Sequence, residues 1–389
     1  MKRRIKMVIC IMCAALTLTA CTNKKTSDKD NVVLGQGKKE SEYQTRLNMV
    51  QPQAYSSVDG LKLEKGSYIS IIGKASGTEY WDEVKKGAED AVDALNDALG
   101  YKGKDQIKVT YNAPGDGSDV DEQVNILDEE LDRYPAAVGI AVIDKEACAV
   151  QFDLAAENNI PIVEFDSKSD YQGAMSVVST SNVEAGQTAA DKMAGLLGEQ
   201  GEVLLFIEDK KAASSNEREQ GMVQQFQKQY PQIKVDGIYY VNELDAEKKE
   251  IVQKTNEGKK EGETITAEDI TDAKAMEEIL KKYPNAKGCI AASQSATEKV
   301  MEACEATGRT EMQIIGFDGG ETQEKALKEG KLQGLIVQNP YGMGYATVVA
   351  AARSALDMGN EAKVDTGYAW VTKENMKSKI CCIKKTLSR

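Results

Sequence analysis

Apolar residues along this chain fall into short runs separated by amphipathic stretches. The runs are Tyr68–Ile72, Ile107–Tyr111, Val138–Ile143, Ile160–Phe165, Val203–Ile207, Lys234–Tyr240, Gly288–Ala292, Gln313–Phe317 and Leu332–Val337. Most hold four to eight residues and are rich in Val and Ile, the pattern of strands buried on both faces. Between them the period changes. Val120, Val124, Leu127 and Leu131 recur at helical spacing and predict a helix over 120–131. Ser118 and Asp121 form a capping-box signal before it. A helix is expected from Asp82, and Gly308 is a stop signal for a helix over 298–307. Strand, helix, strand, repeated many times, predicts parallel sheets with right-handed crossovers. Glu243–Asp272 breaks the pattern: it is dense in Lys and Glu and reads as a surface insertion with some helix.

The N-terminus has a different pattern. Lys2, Arg3, Arg4 and Lys6 precede an apolar run, Val8–Leu18, too short for a membrane-spanning helix of about 20 residues. This is the pattern of a signal peptide. It ends in Leu18-Thr19-Ala20-Cys21, which resembles the lipobox of bacterial lipoproteins and implies lipidation of Cys21. Two acyl chains suffice for stable anchoring. Residues 22–60 are polar and read as a tether. The folded body is expected from about 61 to 377, long enough for two domains, with a basic tail over 378–389 that holds Cys381 and Cys382.

Charge and composition narrow the function. The formal net charge is −13 and becomes four units more negative once the leader's basic residues are gone. An acidic body is a poor partner for nucleic acid. The chain contains no histidine, which excludes Ser-His-Asp and Cys-His catalysis and His-ligated zinc. No Cys-x-x-Cys pair, dinucleotide fingerprint or P-loop is present. Asp116, Asp119 and Asp121 do not follow the calcium-loop pattern and fit helix capping better. No metal, cofactor or catalytic residue is expected. Cys148, Cys289 and Cys304 read as small core residues.

Parallel sheets bind ligands beyond the carboxyl ends of their strands. The residues found there are Tyr80-Trp81, Asp166-Ser167, Ser293-Gln294, Asp318-Gly319-Gly320 and Gln338-Asn339-Pro340. Aromatic faces, carboxylates and amides suit a sugar, whose ring has an apolar face and whose hydroxyls need paired partners. Each residue also has a structural reading: Asp318 as a helix N-cap, Tyr80 and Trp81 as core aromatics, Arg218 as a solvated helix charge. Asp166 and Asp318 as a glycosidase pair is a further alternative.

In order, these residues resemble the periplasmic sugar-binding proteins of the ribose-binding type, which serve ABC transporters. The resemblance runs over Tyr80–Ala88, Asn159–Ser167, Thr180–Gly186, Arg218–Gly221 and Ile315–Gly319, and covers nearly all of 66–377. It implies the type I periplasmic-binding fold: two doubly wound parallel-sheet α/β domains joined by a three-segment hinge. The crossings would lie near Ser179–Asn182, Gln338–Pro340 and Trp370–Thr372. One lobe would then hold 61–180 and 340–370, the other 181–339 and 371–377. It also implies ligand contacts at Tyr80, Trp81, Asp166, Arg218, Ser293, Asp318 and Gln338, and Gln294 is included with them. Departures fall at Ser167, where a ribose binder carries Arg, at Leu244, near a Phe of that site, and at Ser293-Gln294, often Asn-Asp. They imply a cleft of the sugar-binding kind that is not tuned like a ribose site.

The expected role is a monomeric, lipid-anchored, extracytoplasmic solute-binding protein that delivers a small polar ligand to an ABC permease. The alternative is a sensor that presents the same class of ligand to a membrane histidine kinase or chemoreceptor. A DNA-binding repressor with the same core is disfavoured by the leader and the acidic charge.

Overall fold

The computed structural model describes residues 42–260 and 263–376. Cys21, the leader and the basic tail lie outside these residues.

The chain first lays down α1 (Glu42–Leu47) and a 3-10 turn at Gln53–Ser56, then alternates strand and helix. β1 (Tyr68–Ile72), α2 (Glu79–Leu99), β2 (Lys108–Asn112), α3 (Val120–Leu131), β3 (Ala137–Ile140), α4 (Ala149–Glu157), β4 (Ile162–Phe165) and β5 (Val177–Ser179) build the first lobe. The second lobe starts with α5 (Asn182–Leu197), β6 (Gly201–Ile207), α6 (Ala213–Gln229), β7 (Ile233–Tyr240), α7 (Asp245–Asn256) and α8 (Asp272–Lys282). It continues with β8 (Gly288–Ala291), α9 (Gln294–Ala306), β9 (Gln313–Phe317), α10 (Glu321–Glu329) and β10 (Gly334–Gln338). α11 (Pro340–Ala355) and β11 (Lys363–Asp365) return to the first lobe, and β12 (Tyr368–Val371) closes the second.

Each lobe has one six-stranded sheet, ordered β11-β5-β4-β3-β1-β2 and β12-β10-β9-β8-β6-β7. The strands of β3, β4, β8 and β10 are buried throughout, which is why their sequences read as unbroken apolar runs. Pairing is parallel except at one edge, where β12 runs antiparallel to β10. The two parallel-sheet domains are those expected, with one antiparallel strand added at an edge. That strand moves the third crossing. Val371, Trp370, Ala369 and Tyr368 all pair with β10, so the chain changes lobe between Asp365 and Tyr368, not near Trp370–Thr372.

A second correction concerns the tether. Residues 42–60 fold against the first lobe: Leu47, Val50, Tyr55 and Val58 are buried in its core. The Tyr55 hydroxyl donates to Asn360 Oδ1 at 3.2 Å and accepts from the Glu361 N–H at 2.6 Å. Four apolar side chains among polar neighbours carry too little periodicity to show as an element, yet they suffice to fasten a segment. Arg46 lies buried beside them, paired with Glu83 of α2, and its carbonyl accepts from Asn339 Nδ2 at 2.8 Å. In the charged insertion, α7 buries no residue, but Leu244 and Ile270 at its borders are buried in the second lobe's core.

Helix ends follow local chemistry. Thr78 caps α2 by accepting from Trp81 N at 3.3 Å, so the helix begins three residues before Asp82. Asp119, not Ser118, caps α3, accepting from Glu122 N at 2.9 Å. Asn339 caps α11 at 3.0 Å from Gly342 N, with Pro340 in its first turn.

Two helix pairs pack backbone against backbone. A Cβ on Gly87 of α2 would lie 2.0 Å from the carbonyl oxygen of Tyr341, and one on Gly344 of α11 would lie 1.9 Å from that of Val84. In the second lobe a Cβ on Gly186 of α5 would meet the Arg218 carbonyl oxygen at 2.3 Å, and one on Gly221 of α6 that of Val183 at 2.2 Å. Only glycine fits such approaches.

Candidate functional site: a closed cleft between the lobes

The strand ends of both lobes face a cavity of about 480 Å³, within the range of small-molecule sites. All eight predicted ligand residues line it: Tyr80, Trp81, Asp166, Arg218, Ser293, Gln294, Asp318 and Gln338.

Two carboxylates are presented by the same device in each lobe. Asp166 directly follows β4 and Asp318 directly follows β9. Each N–H extends the ladder to the neighbouring strand, Asp166 to Val178 O at 3.0 Å and Asp318 to Ile336 O at 2.8 Å. Each residue then turns into the left-handed region, φ 57° and 63°. Such angles are uncommon for residues other than glycine and are concentrated at functional sites. The Asp166 carboxylate accepts from Tyr80 OH at 2.7 Å and pairs with the Lys74 ammonium at 3.2 Å. Asp318 accepts from Gln338 Nε2 at 2.8 Å, and Gln338 Oε1 accepts from Thr180 Oγ1 at 3.0 Å. Burial pushes the Asp318 carboxyl above the usual carboxylate range, against the pull of nearby Arg218. Burial and the Asp166 charge likewise hold the Tyr80 hydroxyl protonated, as a donor.

Arg218 is buried on α6. Its Nε donates to Asn182 Oδ1 at 2.9 Å and its Nη1 to the Ala292 carbonyl at 2.7 Å. The guanidinium lies 5.0 Å from the centre of the Phe317 ring. Two of five N–H groups are used, which leaves three for the cavity. The structural alternative of a solvated helix charge is thereby excluded.

Trp81 divides its surface. It lines the cavity but packs edge-on to Phe165, 6.3 Å between centroids, within the first lobe's core. Tyr80 stands edge-on to it at 5.1 Å. Ser293 caps α9, its Oγ accepting from Ala296 N at 3.1 Å, so this hydroxyl serves the fold first. Leu244 lies in the core and not in the cavity wall. Ser167 does not line the cavity either; its Oγ accepts from Ser214 N of the other lobe at 3.4 Å.

The charged residues of the wall that escaped sequence reading include Lys74, one residue beyond Gly73 at the end of β1, and Glu208, immediately after β6. The signal for Glu208 is its place directly after the apolar run Val203–Ile207.

The lobes touch across the mouth. Lys168 pairs with Glu217 at 2.9 Å, Lys145 N donates to Lys211 O at 3.3 Å, and Lys74 Nζ donates to Ser214 Oγ at 3.5 Å. The cleft is therefore in its closed form. Among the described residues no cluster of acidic or cysteine side chains is arranged to hold a metal ion, and no helix is long and apolar enough to cross a membrane.

A family model described as "Periplasmic binding protein domain" matches residues 69–359. The chain belongs to this family. Among curated relatives it is 22% identical over 299 residues to the D-apiose import binding protein of Actinobacillus succinogenes, covering 75% of this chain and 88% of that protein. It is 22% identical over 306 residues to the ribose import binding protein of Escherichia coli, covering 79% and 90%. Among solved structures, a carbohydrate transporter solute binding protein from Agrobacterium radiobacter in complex with D-arabinose superposes with a TM-score of 0.66 at 27% identity, over 81% of this chain and 97% of that one. The arabinose binding protein of Geobacillus stearothermophilus superposes at 0.62 with 26% identity, over 80% and 98%. The two-lobed fold expected from the ordered motifs is the fold of this family.

Proposed function

We propose that this family member is a monomeric binding protein that closes around a monosaccharide without altering it and hands it to an ABC permease. The observation that carries this reading is the pair Asp166 and Asp318, held in strained backbone at equivalent strand ends on opposite sides of one closed cavity. Tyr80 and Trp81 offer aromatic surface to the ring, Asp166, Asp318 and Gln338 exchange hydrogen bonds with hydroxyls, Ser293 and Gln294 border them, and Arg218 donates from the second lobe. A site built to pair hydroxyls rejects molecules that lack them. The names of the relatives, which are import binding proteins for D-apiose and ribose, support the sugar class and the transport partner. Carboxylates outnumber cations in the wall, which disfavours an anionic ligand and is compatible with a neutral sugar. The mature protein is held to the outer face of the cell membrane by lipid on Cys21.

Thermal unfolding against D-arabinose, D-ribose, D-allose, D-apiose, D-fucose and D-tagatose tests the reading. One or more should raise the midpoint in a concentration-dependent way and be recovered unchanged by mass spectrometry. No stabilisation by any of them, or turnover of the bound sugar, rejects it. For the anchor, Cys21→Ser should move the protein from the membrane to the soluble fraction.

A further inference from the structure

Glu208 is a carboxylate that the preceding account leaves unused. It follows β6, the first strand of the second lobe, as Lys74 follows β1, the first strand of the first lobe. Glu208 comes directly after β6 and Lys74 two residues after β1, on opposite walls, and both line the cavity. Lys74 is engaged with Asp166 and Ser214. The Glu208 carboxylate has no hydrogen-bonded partner among the described residues, although the Glu208 carbonyl accepts from Asn242 N at 3.0 Å and fixes the backbone. Its electrostatic neighbours are Lys74, Asp209, Arg218 and Asp318, all of them wall residues. Burial raises its carboxyl above the usual range. Glu208 is only half-buried and borders the cavity, so a ligand that fills the cavity desolvates its carboxylate, which is costly unless that ligand supplies the partner.

We infer that Glu208 is a specificity-determining ligand contact: its carboxylate accepts two hydrogen bonds from neighbouring hydroxyls of the bound sugar. The inference rests on the sugar-binding reading above. It compensates for Ser167, which is turned into the lobe–lobe contact, and for Ser293, whose hydroxyl is committed to a helix cap. A ligand that satisfies it carries a vicinal diol at the end of the molecule nearest β6.

The test is calorimetric titration of the mature wild type, Glu208→Gln and Glu208→Ala with the same six sugars, followed by monodeoxy analogues of the tightest binder. Loss of a charged acceptor should weaken that sugar about tenfold or more. The wild type should discriminate against at least one monodeoxy analogue, and Glu208→Ala should bind it and the parent sugar equally, the mark of a direct contact. Unliganded variants should unfold at the same midpoint as the wild type or higher. Affinity within twofold of wild type in both variants overturns the inference and leaves the sugar reading standing. A loss of equal size for the parent and every deoxy analogue also overturns it, since Glu208 would then act through Lys74. A wild type that binds none of the six sugars overturns the sugar reading and this inference together.

Discussion

Gln338 donates from Nε2 to Oδ1 of Asp318 at 2.8 Å, and its own Oε1 is held at 3.0 Å by the hydroxyl of Thr180. Asp318 belongs to the second lobe, whereas Thr180 and Gln338 sit at the first and second chain crossings. A cavity-lining carboxylate is thus oriented by a residue of the hinge, in contact with another crossing. Gln338→Leu keeps most of the volume and deletes both bonds. It should cost about 2 kcal/mol of sugar affinity, roughly 30-fold in Kd. Thr180→Val should cost less, because Asp318 keeps its direct partner. Calorimetric titration of both variants checks the order.

The same carboxylate gives a pH dependence with opposite signs for stability and binding. Burial raises the Asp318 pKa in the folded protein above its unfolded value. The folded state then holds the proton more tightly. The charged form's penalty is absent near and below the ordinary carboxylate pKa of about 4 and grows as pH rises through the folded value. Asp318→Asn should therefore stabilise the unliganded protein at pH 7, and the gain should shrink toward pH 4. Sugar affinity of the wild type should fall over that same acidification, because the acceptor becomes protonated. Thermal unfolding of both proteins from pH 4 to 8, with parallel titrations, separates the two effects.

Closure is reinforced at the mouth by the Lys168–Glu217 pair. Both side chains are partly exposed, so the pair is worth no more than about 1 kcal/mol. Lys168→Ala should weaken sugar binding by less than about fivefold. At high salt, where exposed pairs are screened, the difference from wild type should vanish. Titrations at low and high ionic strength decide this.

The segment before β1 should prove part of the fold. Tyr55 is fully buried and its hydroxyl bridges to Asn360 and Glu361 behind α11. Tyr55→Ala should destabilise the protein by about 3 kcal/mol or more, in line with large-to-small aromatic truncations. A chain shortened to begin at residue 61 should lose more. Denaturant unfolding measures both.

The sequence was most legible where burial is complete. Both faces of β3, β4, β8 and β10 are covered, so their apolar runs are uninterrupted and the polar residues just after them stand out. All eight predicted ligand residues came from that contrast or from the ordered motifs. Less could be read where elements are short or borrow their stability from elsewhere. β5 and β11 have three residues each, and β11 leans on the isolated pairing of Gln51 with Asp365. β12 is an aromatic edge strand whose antiparallel direction depends on where the third crossing falls. Leu244, one of the departures from a ribose-type site, is a core residue at the N-terminus of α7 and adds no surface to the cavity.

Gly186 touches no part of the cavity, yet a methyl group there would collide with the backbone that carries Arg218. The place of the guanidinium in the cavity wall is therefore set by the spacing of two helices, and that spacing by the absence of a side chain. Recognition can be lost by a substitution that every map of ligand contacts would score as harmless. The smallest change available at this position, to alanine, is already too large, so the cleft's specificity has a point of failure on its far side with no tolerated alternatives.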